Sequence, residues 1–130
     1  MPENLTPDPH DRLTPVVVYN ADGSSVSAIL RAAISAASSG DNTLLAAQGA
    51  GNKIRVHSAY LIAAGAVTVR FESGAGGTAL SGVMSLAANA GFVLPHNEAG
   101  WFETAANALL NLELGGAVQV SGGLTYSVVT

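Results

Sequence analysis

With 130 residues the chain has room for one domain, and with no cysteine it has neither disulfides nor thiolate metal sites. His10, His57 and His96 are then the remaining nitrogen ligands, and neither a structural metal nor a cofactor is expected. Five basic residues scattered through a chain of net charge −4 leave no electrostatic footprint for a phosphate backbone, which argues against nucleic acid; only 11% of residues are charged while 48% are hydrophobic, so protein neighbours are expected to cover part of the surface.

The opening Met1-Pro2-Glu3-Asn4 lacks the positive and apolar regions of a secretory leader, which predicts synthesis in the cytoplasm. Pro2, Pro7, Pro9 and Pro15 each fix φ and push the preceding residue toward extended geometry, so residues 1–25 read as an extended arm. Asp8, His10 and Asp11 lie close together on it, but an ion site needs a scaffold to hold its ligands, and a solvated or partner-facing arm is the simpler reading. Leu5, Leu13, Val16, Val17, Val18 and Tyr19 are its candidate partner contacts, because an extended segment satisfies its backbone by adding to a neighbouring sheet edge. All fifteen glycines lie from Gly23 onward, and Asn20-Ala21-Asp22-Gly23 has strong turn chemistry, which places a folded domain over residues 26–130.

Residues 26–38 are rich in Ala and Leu, yet Ile29, Ala33 and Ile34 would give a helix only a thin apolar stripe, so a strand is expected. Ser38-Ser39-Gly40-Asp41-Asn42 and Gly49-Ala50-Gly51-Asn52 read as turns around a short strand at residues 43–47. Over residues 53–73, Ile54, Val56 and Tyr60 alternate with Lys53, Arg55 and His57, then Val67, Val69 and Phe71 with Thr68, Arg70 and Glu72. A two-residue turn at Ala64-Gly65 would make this a hairpin with Tyr60 opposite Val69 and Ser58 opposite Phe71 on the core face, and His57 opposite Glu72 outside. Lys53, Arg55 and His57 would then share an exposed face with Arg70 and Glu72.

Ser73-Gly74-Ala75-Gly76-Gly77-Thr78 lacks the lysine of a phosphate-cradling loop and reads as a hairpin connection. Residues 73–97 carry no charge, but glycines, Asn89 and Pro95 break every apolar run well short of the ~20 residues of a membrane span. Further strands are expected at residues 79–86, 91–94, 109–114 with Leu110, Leu112 and Leu114 on one side, and 117–129 with a break at Gly122-Gly123. About eight short strands imply an all-β antiparallel β-sandwich or jelly roll behind the arm.

Ser39-Gly40-Asp41-Asn42-Thr43, Gly51-Asn52-Lys53-Ile54-Arg55-Val56, Val67-Thr68-Val69-Arg70-Phe71, Leu94-Pro95-His96-Asn97 and Gly100-Trp101-Phe102-Glu103-Thr104 together resemble a widespread group of small phage virion proteins, over roughly residues 35–130. The most specific piece is the Gly100 to Thr104 segment after the Leu94-Pro95 loop. The resemblance implies a β-sandwich used on the particle surface, as a head decoration (cement) protein bound to the major capsid protein or within tail components. The arm lies outside the resemblance.

His96, Glu98 and Glu103 beside Trp101 and Phe102 could be imagined as an acid/base site, but no nucleophile or oxyanion motif accompanies them, and a solvated loop with the two rings closing one end of the sandwich is the simpler reading. A sugar platform of Trp101 with Tyr60 or Tyr126 would need tyrosines that the alternation turns inward. The expectation is therefore a non-enzymatic virion protein on the capsid surface, self-associating as a trimer. A tail or fibre module and a receptor or carbohydrate binder are the alternatives.

Overall fold

The computed structural model describes residues 28–130, and its regular structure is entirely β. Ten strands follow in order: β1 (Leu30–Ala36), β2 (Gly40–Leu45), β3 (Lys53–Ala63), β4 (Val67–Ser73), β5 (Thr78–Ala79), β6 (Met84–Leu86), β7 (Gly91–Leu94), β8 (Phe102–Glu103), β9 (Leu110–Leu114) and β10 (Val120–Val129). All pairings are antiparallel and they nest: β1 with β10, β2 with β9, β3 with β7 and β8, β4 with β5 and β6. Since β7 and β8 share one edge of β3, and β5 and β6 share one edge of β4, ten segments fill eight strand positions. Two sheets result, β1-β10-β3-β7/β8 and β2-β9-β4-β5/β6, which is the wrapped ribbon of a jelly roll.

The core lies between the sheets. Ile34 and Ala36 from β1, Ile54, Val56, Ala59, Leu61 and Ala63 from β3, and Val120 and Leu124 from β10 face Val67, Val69 and Phe71 from β4 and Leu110, Leu112 and Leu114 from β9. Period-two alternation places each of these sets on one face of its strand, as anticipated for β9. Within the 26–38 segment, residues 30–36 form a strand rather than a helix, and its inward apolar positions, Ala32, Ile34 and Ala36, pair with Leu124, Gly122 and Val120 of β10.

Several details differ from the sequence reading. The 53–73 region is not a hairpin: β3 belongs to the first sheet and β4 to the second. At the corner Ala63 donates its N–H to Ala90 O (2.9 Å) and Ala64 to Gln119 O (2.8 Å), so the backbone there is satisfied by other strands and the chain crosses between sheets. Glu72 lies opposite Asn111 and Ala79, not His57. The second strand begins at Gly40, earlier than expected, because the Asn42 side chain closes the turn by accepting from Ser38 N–H and donating to Ser38 O. The 79–86 region is split into β5 and β6. Conversely β10 runs unbroken through Gly122-Gly123, and its irregularity falls between Thr125 and Tyr126, opposite His57.

That bulge explains the largest error. Thr125 pairs with Ser58 and Tyr126 with Val56, leaving His57 as the extra residue of β3. One extra residue inverts every later side chain, so Ile54 and Val56 point inward before it and Ala59, Leu61 and Ala63 after it. Tyr60 and Ile62 consequently face out, and His57 is buried.

Candidate functional site

Part of the outer face of the first sheet is poor in charge and carries exposed apolar side chains. Above the bulge its side chains form three rows: Arg31, Thr125 and Ser58; Ala33, Gly123, Tyr60 and Val93; and Ser35, Ser121, Ile62 and Gly91. Arg31 is the one charge among these positions. Tyr60 (59% exposed), Ile62 (51%) and Val93 (73%) stand clear of a floor of Ala, Ser and Gly. Between them lies a shallow apolar depression of about 500 Å³.

The glycines make this relief. A Cβ at Gly123 would run into the Tyr60 ring, so the ring covers that glycine, a cross-strand pairing of aromatic and glycine that supports a strand lacking side-chain packing. A Cβ at Gly122 would collide with Tyr60 O and one at Gly91 with Leu61 O, so β7 and β10 approach β3 closely on both sides. Below the bulge the same face becomes charged, with Lys53 and an Arg55–Glu103 ion pair (2.6 Å).

The bulge itself is a polar knot. The carbonyl of Asn97 can only accept, so His57 Nδ1 donates to it (2.9 Å), and Nε2 accepts from the Ser127 hydroxyl (2.8 Å). Asn97 N–H donates back to His57 O, and Trp101 N–H to Val56 O. These bonds tie the 95–101 loop to β3. His96 stacks on His57 at 5.4 Å and bonds Glu98 (3.0 Å), whose carboxyl that hydrogen bond holds below its ordinary range. Trp101 is 43% exposed and its indole N–H bonds Pro95 O, while Phe102 packs on Phe71 at 4.8 Å, so only the second ring joins the core.

His96, Glu98 and Glu103 are thus not brought to one place: Glu98 pairs with His96, whereas Glu103 pairs with Arg55. Nor do Lys53, Arg55 and His57 share a face with Arg70 and Glu72.

On the outside of the second sheet Asp41, Glu72 and Glu113 bring carboxylate oxygens within 4.8 Å of one another. Arg70 Nη2 bridges Glu72 and Glu113 and supplies the positive charge there, while Asn111 donates to Asp41 and Glu72 (2.8 Å each). Burial pushes the Glu72 carboxyl up, but hydrogen bonds with Glu113, Arg70 and Asn111 outweigh it and hold it low; the bond shared with Glu72 pushes Glu113 up. Gly76 N–H reaches Asp41, so the network pins the hairpin loop between β4 and β5. It is a structural ion-pair cluster.

Leu5, Leu13, Val16, Val17, Val18 and Tyr19, and the arm boundary at residue 25, lie outside the described residues. The outward Tyr60 was missed from sequence because the bulge is invisible to simple alternation; Gly91, Gly122 and Gly123, glycines within strands, were the available signal.

No family model matches the chain, and no curated protein matches it. Among solved structures, the chain is similar to one described with the words "Bacillus endospore appendages form a novel family of disulfide-linked pili", at 18% identity over 88% of this chain and 96% of that one, with a TM-score of 0.47.

Proposed function

We propose that the chain is a structural protein of a bacteriophage particle, a head decoration protein whose jelly rolls associate as a trimer and whose arm engages the major capsid protein. The observation that carries this reading is the part of the first sheet's outer face above the bulge, where Arg31 is the single charge. A face with one charge and three protruding apolar side chains gains by being covered and desolvates almost no ions in the process. The resemblance to phage virion proteins supplies the role, and the low charge content of the whole chain agrees with it.

In this mechanism the arm, with Leu5 and Leu13, adds contacts across coat-subunit boundaries. Each engaged copy raises the effective concentration of its neighbours, so head stability rises with occupancy. No catalytic step is required.

Deletion of residues 1–20 tests the mechanism by sedimentation with undecorated heads. Loss of binding with an unchanged circular-dichroism spectrum is expected; full affinity without the arm would overturn it. The 43% exposure of Trp101 favours a second reading, a glycan-binding module on the particle. In that case Trp101→Ala abolishes glycan binding while the fold survives.

A further inference from the structure

The two long sides of the sandwich are not equivalent. On one, β1 and β2 are continuous edge strands joined by a short link at 37–39. On the other, both edge positions are broken: β5 and β6 on the second sheet, β7 and β8 on the first. Between these broken edges runs an apolar groove of about 460 Å³. Leu80, Met84, Leu86, Phe92, Leu94 and Phe102 line it, all packed against the core yet only partly buried, unlike the fully buried residues of β9 and β4. Short edge strands with free backbone groups beside an unfilled apolar groove are what an added strand completes: its backbone pairs with an edge and its alternate side chains enter the groove.

The chain contains a segment of that chemistry. Among residues 1–27, only Val16-Val17-Val18-Tyr19 is an uncharged run of β-branched and aromatic residues without proline. Its reach follows from the register. Leu30, Tyr126, Val56 and Phe102 form one row across the first sheet, so the start of β1 stands at the height of the groove but three strand spacings, about 14 Å, to the far side. Eleven Cα-to-Cα steps lead from Tyr19 to Leu30, up to about 36 Å of extended chain. Copies placed side by side, β1 edge against broken edge, bring the root of one arm to the groove of the next, a head-to-tail contact.

We propose that residues 16–19 of one copy occupy the groove between β5/β6 and β7/β8 of a neighbouring copy. This rests on the reading that copies associate, and it assigns the arm a partner within the layer of decoration itself.

The absence of cysteine makes the test direct. Full-length chains carrying Val16→Cys or Val17→Cys are mixed with full-length chains of different tag length carrying Met84→Cys, Leu94→Cys or, as control, Thr43→Cys on the outer face of the second sheet, and oxidised. The proposal predicts mixed-mass disulfide dimers with a groove cysteine and none with Thr43→Cys. No cross-link to either groove position overturns it, as does a bond formed only within one chain when both cysteines are placed on it. Trp101, the sole tryptophan and a lining residue, gives a readout with the domain unaltered: its emission moves to the blue as wild-type concentration rises, and this shift is lost in Val16→Asp/Val18→Asp. A wild-type emission independent of concentration contradicts the proposal. Head binding is read separately: cross-linked chains that ignore heads refute the decoration role alone, and decorated heads without cross-links refute the groove contact alone.

Discussion

Replacing Tyr60 or Ile62 by aspartate separates an assembly surface from an ordinary solvent face. A tyrosine carries roughly 200 Å² of surface, so at 59% exposure a partner covers about 120 Å² of Tyr60. At ~25 cal/mol per Å² that contact is worth about 3 kcal/mol, roughly a hundredfold in Kd, before the cost of burying the new carboxylate. At Ile62, half covered in the folded monomer, aspartate costs about 1 kcal/mol of stability through lost packing and strand propensity. At Tyr60 the loss of the ring from Gly123 costs about 0.5–1 kcal/mol of stability, the size of a cross-strand pair. Sedimentation velocity against concentration and urea denaturation, run on both variants, give the two numbers. Association should weaken roughly a hundredfold in Tyr60→Asp and substantially in Ile62→Asp, while both variants remain folded with losses of only about 1 kcal/mol. Unchanged association in both variants would refute an assembly surface here.

Three further outcomes follow from the packing and the charges. Leu112→Ala, at the fully buried centre of β9, should lower unfolding free energy by about 2–5 kcal/mol in urea titration; a loss below about 1 kcal/mol would mean the core is not where these sheets place it. Gly122→Ala should cost about 1–3 kcal/mol, because the added Cβ meets Tyr60 O across the ladder, whereas Gly116→Ala, with open space around it, should be close to neutral. Glu72 titrates below its ordinary value of 4.5, so its contribution is present above that pH and is lost as pH falls through the folded value; Glu113, shifted the other way, contributes at low pH and loses that contribution as pH rises. Urea midpoints should therefore fall on acidification below about pH 4.5, and Glu72→Gln should flatten the decline; an equally steep decline in the variant would remove Glu72 from the explanation.

Much of the architecture was legible because apolar alternation survives in most strands. Leu110, Leu112 and Leu114 announced β9, and residues 91–94 were placed without error. Two features were not local. Whether β3 turns back on itself or crosses to the other sheet depends on what its neighbours offer its backbone, and Ala90 and Gln119, distant in sequence, decide it. The bulge at His57 is set by the buried bonds that Asn97 and Ser127 make to the imidazole, and no window around residue 57 contains either. A single shift of phase turns Tyr60 from an expected core residue into an exposed one and hides the charge-poor part of that face. Glu72 was misjudged for a related reason: a carboxylate on an outward position reads as solvated, yet Arg70, Asn111 and the loop after β4 close over it.

A head decoration role, as proposed, means many copies on each phage particle. Counting bound copies per particle, with undecorated heads and isolated tails sedimented in parallel at saturating protein, tests it most directly. Hundreds of copies on heads and none on tails is the predicted result; binding confined to tails, or to neither, would contradict it.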